Sequence, residues 1–199
     1  MSRVSKGFDF TAAVRHICAD MARRVPDLSH IDMPRVAVGI CQTRKAALHG
    51  VFATLTPLRF EGGRLDKTVR GRRLRIQPLV DGSGREYLYL LNFYLPRFLN
   101  LPLEEKLSTI VHELWHIGPE FNGDLRRHAG RCYAHGHSQR QYNAQMDRLT
   151  QQWLAADPPH HLYEFLESAF DDLRAEHGGV QGQRWPAPRM TPVHLAPGQ

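Results

Sequence analysis

The sequence predicts an α+β fold, and three observations carry that prediction. Helical periodicity opens the chain, strand-like runs fill its middle, and helical periodicity returns after residue 100. Strands grouped together, with helices before and after them, describe a small sheet packed by helices and not a repeating βαβ array.

Each element has its own signal. Between Phe10 and Val25 the residues Val14, Ile17, Met21 and Val25 recur at helical spacing, and Pro26 closes the segment. "RVAVGICQ" alternates as a strand, and "HGVFATLTPLRF" reads as a second strand with Pro57 near its end or at an edge. "GGRLDKTVRGRRLRIQPL" carries a turn and a third strand; after the turn "DGSG", the run "REYLYLLNFYL" makes a fourth. Three or four neighbouring strands on short turns predict a small antiparallel or mixed sheet.

From "NLPLEEKLSTIVHELWHIG" the period turns helical. Pro102 suits the first turn, where its missing N–H costs nothing, and Glu104 and Glu105 sit where the helix dipole favours negative charge. Leu103, Leu107, Ile110, Val111 and Leu114 form the apolar stripe, and Gly118-Pro119 stops the helix. "HSQRQYNAQMDRLTQQWLAA" predicts a further helix with Tyr142, Met146, Leu149 and Trp153 on one face, and "HLYEFLESAFDDLRAEH" a short one after it. Residues 1–177 are thus expected to form one domain. The Gly- and Pro-rich tail 178–199 is expected to be extended or disordered.

Composition narrows the setting. A chain of 199 residues with 42% hydrophobic content supports one modest core. Three cysteines without C-x-x-C spacing, Cys18, Cys41 and Cys132, argue against a disulfide framework and for a reducing compartment. The N-terminal stretch carries charges throughout and lacks an apolar run, so the expectation is a cytoplasmic protein with no membrane partner. A net charge of +6 permits a nucleic-acid partner. The densest basic run is "KTVRGRRLR", residues 67–75, with Arg126, Arg127 and Arg131 a second group.

The chemistry concentrates in "STIVHELWHIGPEFNGDLRRHAGRCYAHGH", residues 108–137, which holds five histidines, two glutamates and one aspartate. His112 and His116 stand at i and i+4 on the predicted helix, so both imidazoles leave one face at a separation that suits one tetrahedral ion. Glu113, beside the first ligand, is placed to take a proton from a zinc-bound water and return it to a leaving amine. The expectation is a Zn2+ peptidase site acting on a peptide or protein substrate. Trp115 reads as core or pocket wall; Tyr133 or Tyr142 is an oxyanion donor or a packing residue; Cys132 is a small buried hydrophobe or a ligand.

With the preceding strands and the later "YAHGHSQRQYNAQMDRL", the "VHELWHIGPEF" helix resembles the phage-type metallopeptidases of the H-E-x-x-H class over roughly residues 35 to 156. The layout is also similar to the SprT-like and Spartan proteases, in which an H-G pair follows the motif helix. The resemblance implies a zincin-like domain whose active-site helix and supporting C-terminal helices hold the metal, and it makes His135 the third ligand. Its rivals are His137, His128, Glu120 and Asp124. A metzincin arrangement is disfavoured, since Gly118 falls one place early and position 122 is Asn122. Two further readings stand beside the plain peptidase: a nucleic-acid-associated protein with a structural zinc, and a SprT-like peptidase acting on DNA-bound proteins.

Overall fold

The computed structural model describes residues 7–43, 50–127 and 139–193, and it shows a mixed α+β architecture. In chain order the elements are β1 (Phe8–Asp9), α1 (Phe10–Arg24), β2 (Val36–Gln42), β3 (Ala53–Pro57), β4 (Asp66–Val69), β5 (Arg72–Ile76), β6 (Tyr89–Leu95), α2 (Leu103–Trp115), α3 (Gln139–Ala155), α4 (Phe170–His177), β7 (Val180–Gln181) and β8 (Met190–Pro192).

Helix α1 starts where the Asp9 carboxylate accepts the Ala12 N–H at 3.0 Å, and Arg23 and Arg24 complement its C-terminal dipole. Its stripe of Val14, Ile17 and Met21 is fully buried, as is Val25 just beyond it. The central sheet has the order β2-β6-β3, with β2 parallel and β3 antiparallel to β6. Alternation along β6 sends Tyr89, Leu91 and Phe93 into the main core with Ile17, Ile110, Leu114 and Trp153. Leu90 faces a smaller cluster with Ala37, Leu58 and Tyr87.

The basic run forms a separate three-stranded sheet, order β4-β5-β8. Arg70 and Gly71 both have positive φ, 49° and 76°, which makes the tip a two-residue hairpin turn of the kind that prefers Asn-Gly. An arginine at the first of these positions costs about 1 kcal/mol relative to a residue at ease there.

Two expectations need correction. The stretch 161–177 is not one helix: Glu164–Glu167 is a 3-10 turn, Ser168 is extended, and α4 begins only at Phe170. The buried Lys106 ammonium donates to the Leu166 and Ser168 carbonyls at 2.6 and 3.0 Å, acceptors that a continuous helix would have used. Burial pushes Lys106 down to about 8, and these two carbonyls favour the charged form at neutral pH.

The tail is extended but not disordered as far as Val193. β7 pairs in parallel with β1, β8 pairs with β5, the Ile40 N–H donates to the Gln183 carbonyl at 2.8 Å, and the Trp185 indole donates to the Val38 carbonyl at 2.9 Å. Low apolar content does not preclude order when the backbone completes sheet edges and one aromatic anchors it. Gly39 records how closely the tail lies on β2: a Cβ there would stand 2.6 Å from Trp185 and 2.8 Å from Asn92.

Asp20 ties α1 to α3. Only 6% exposed, it accepts the Trp153 indole at 3.0 Å and the guanidinium groups of Arg23 and Arg24, while Arg24 also caps the Ala156 carbonyl at 2.8 Å. Burial alone would raise its pKa, but these donors outweigh it and hold the carboxyl below the usual range. Cys18 and Cys41 are free thiols, and Cys132 lies outside the described residues. Among the described residues no helix is long and apolar enough to cross a membrane.

Candidate metal centre

Helix α2 enters the core on Leu107, Ile110, Val111 and Leu114, so its last turn is held rigidly while the flank carrying residues 112 and 116 stays half-exposed. The helix ends at Trp115, and His116 caps it with its N–H bonded to the His112 carbonyl at 3.3 Å. The two imidazole Nε2 atoms lie 3.0 Å apart, with the rings 4.7 Å between centroids and nearly perpendicular. One ring donating to the other accounts for that spacing. So does a shared ion, because two nitrogen ligands of a tetrahedral zinc stand roughly 3.3 Å apart. The pair fits zinc in both ligand type and separation.

Glu113 lies 7% exposed beside this pair, on the side of α2 that faces β3. Burial pushes its carboxyl up to about 7, and the Leu55 N–H pulls the other way. That N–H is available because of register. Tyr94 donates to the Phe52 carbonyl and Leu58 to the Leu88 carbonyl, so even-numbered residues of β3 bond to β6. Ala53 and Leu55 therefore turn their backbone groups outward, along the outer edge of the sheet.

The chain after the motif folds back on it. Ile117 bridges Leu125, the Arg126 N–H donates to the His116 carbonyl at 2.7 Å, and the Arg126 guanidinium lies 3.8 Å over the Trp115 ring, whose body packs against the core. Tyr89, fully buried on β6, pins this return: its hydroxyl donates to the Asp124 carbonyl at 2.8 Å and accepts the Gly123 N–H at 3.0 Å. Burial pushes that phenol up to about 12. Sequence reasoning missed Tyr89; the available signal was a tyrosine on the buried face of a strand, which needs a partner for its hydroxyl. Tyr89→Phe is expected to cost about 1–3 kcal/mol in chemical unfolding and to speed amide exchange at Gly123 and Arg126.

The remaining candidates separate clearly. Asp124 accepts from Gly62 N at 2.8 Å, from Leu125 N at 2.8 Å and from both sides of the Arg127 guanidinium at 3.0 Å, so its oxygens hold the loop. Burial raises its pKa and Arg127 with the two N–H groups lowers it further, leaving it below the ordinary value. Glu120 is exposed in the turn after Pro119. His135, His128 and His137 lie outside the described residues, as do Arg131, Cys132 and Tyr133; Tyr142 falls within α3, where the structure describes its backbone. Among the described residues no group of three metal-ligating side chains occurs.

A cleft of about 380 Å³ between α2 and α3 has His112 on its wall, with Phe52, Thr109 and Met146 beside it and Glu104, Glu105 and Asp147 at its rim. Three larger hollows, about 760, 590 and 400 Å³, lie elsewhere and contain none of the motif residues. Comparison of the chain with family models, with curated proteins and with solved structures returned no match.

Proposed function

We propose that this chain is a zinc-dependent metallopeptidase with a zincin-like site, in which His112, His116 and His135 hold the ion and Glu113 is the general base and acid. The observation that carries the reading is the 3.0 Å separation of the two imidazole nitrogens at the end of a buried helix, with a buried carboxyl on the residue between them. When bound there, zinc acidifies water toward a pKa of about 7 and polarises a carbonyl. Glu113 then accepts a proton from the attacking water and delivers it to the amide nitrogen as the C–N bond breaks. The outward-turned backbone of Ala53, beside the Leu55 N–H that Glu113 takes, supports a peptide substrate, because an extended chain adds to such an edge.

Metal content tests this. After reconstitution, plasma mass spectrometry is expected to find one zinc per wild-type chain and almost none in His112→Ala or His116→Ala. Parallel His135→Ala, His128→Ala and His137→Ala proteins identify the third ligand. Cleavage of a quenched fluorescent peptide library is expected only from zinc-loaded wild type. A wild-type chain that takes up no zinc overturns the reading.

A nucleic-acid-associated protein with a structural zinc is the second reading, favoured by the charge gathered on β4 and β5. Zinc held by four protein ligands, with no hydrolysis, selects it. The two combine in a SprT-like peptidase that acts on DNA-bound proteins.

A further inference from the structure

We infer that the β4–β5 hairpin is a docking arm for duplex DNA, gripping the phosphate backbone with Lys67, Arg70 and Arg72 along its length and in its turn. The inference does not rest on the peptidase reading, and either can fail without the other.

Charge placement comes first. Residues 64–75 contain Arg64, Lys67, Arg70, Arg72, Arg73 and Arg75 against the single acid Asp66, so five of the chain's six net positive charges sit in this one stretch. Arg73 and Arg75 are partly neutralised, since both pair with Asp66, at 2.8 and 2.6 Å. Lys67, Arg70 and Arg72 pair with no acid among the described residues, and every residue from 67 to 73 is exposed. Three unneutralised cations thus line the arm, from Lys67 opposite Leu74 to Arg70 in the turn.

Shape comes second. β8 pairs only with Leu74–Ile76, the base of the hairpin, and Ile76 anchors that base against the cluster of Leu58, Tyr87 and Leu90. Beyond Leu74 the arm is a two-stranded ribbon, and a ribbon of that width enters a B-DNA major groove about 12 Å wide. A single strand would want aromatic platforms for its bases, and none exists between Phe60 and Tyr87. Phosphate contacts to a duplex are what this composition supplies.

The turn adds a third argument. Arg70 occupies a positive-φ position that Asn or Gly fills with less strain. A tip chosen for folding alone would have Asn there; an arginine places a cation at the most advanced point of the ribbon.

The test is fluorescence anisotropy of a labelled 20-base-pair duplex of arbitrary sequence, titrated with the full chain from 50 to 200 mM KCl. Wild type is expected to bind in the micromolar range with steep salt dependence. Lys67→Gln/Arg70→Gln/Arg72→Gln is expected to weaken binding at least tenfold at 100 mM KCl and to make the log–log salt slope shallower by about 2–3. A triple that removes the same charge elsewhere, Arg15→Gln/Arg148→Gln/Arg174→Gln, is expected to lose threefold or less. Arg70→Asn separates a folding role from a binding role: its Tm is expected to equal or exceed wild type while affinity falls at least twofold. The inference is overturned if no duplex binds at 50 mM KCl, if the two triples lose equally, or if Arg70→Asn binds as wild type does. It is also overturned if the same sequence single-stranded binds more tightly, or if poly-glutamate competes equally per charge.

Discussion

Glu113→Gln is expected to keep its zinc and to lose peptide cleavage by at least a hundredfold, the size of effect a positioned general base supplies. Glutamine preserves the shape of the buried side chain beside His112 and His116 but cannot take up a proton from water at neutral pH. The same substitution has an opposite effect on the metal-free fold. With burial pushing the carboxyl from 4.5 to about 7, the folded state retains a proton that the unfolded chain has released between those pH values. Stability of the metal-free wild type therefore falls as pH rises from 4.5 to 7, by an amount on the order of 3 kcal/mol. Urea midpoints in chelator are expected to fall between pH 5 and pH 8 for wild type and to stay level for Glu113→Gln. Equal cleavage by the two proteins would sink the mechanism.

Asp20→Ala is expected to be strongly destabilising, at about 2–4 kcal/mol. It removes the acceptor of the buried Trp153 indole, which is left without a partner, and the counter-charge of half-buried Arg24, which keeps only the Ala156 carbonyl at the joint between α1 and α3. Asp20→Asn, which keeps one oxygen for the indole, is expected to cost roughly half as much. The native carboxyl is held below its ordinary pKa, so its contribution is fully present above pH 3.8 and is lost as pH falls through the folded value. Thermal unfolding at pH 7 and pH 3 checks both points: the gap between wild type and Asp20→Ala is expected to narrow in acid.

The elements legible in the sequence are those whose signals are local. Helix α1 ends against Pro26 and helix α2 begins after Pro102, because proline leaves its mark on the residues next to it. The approach of His112 to His116 follows from i, i+4 spacing alone. Strand order was not legible: β6 lies between β2 and β3, and the alternation that predicts a strand says nothing about its neighbours. The break before α4 depends on Lys106, 60 residues from the Leu166 carbonyl it takes. Order in the tail depends on backbone pairing and on Trp185, neither of which composition weighs. Glu113 was legible as a candidate from its place in the motif, but its burial under the edge of β3 follows from register with β6.

The fastening of residues 180–193 onto β1, β2 and β5 orders events during synthesis. A nascent chain reaching only to α4 already contains β2, β6 and β3, yet the outer edge of β2 still lacks the Gln183 carbonyl and the Trp185 indole that cover it. Such an edge is a template for pairing with another chain, and it is exposed for as long as translation takes to deliver the closing segment. Contacts that span nearly the whole described sequence, from Phe8 to Val180, also place this closure late and make folding slow for a chain of this size. A stretch made well after the three strands it serves is thus the one that makes the finished sheet safe from its neighbours.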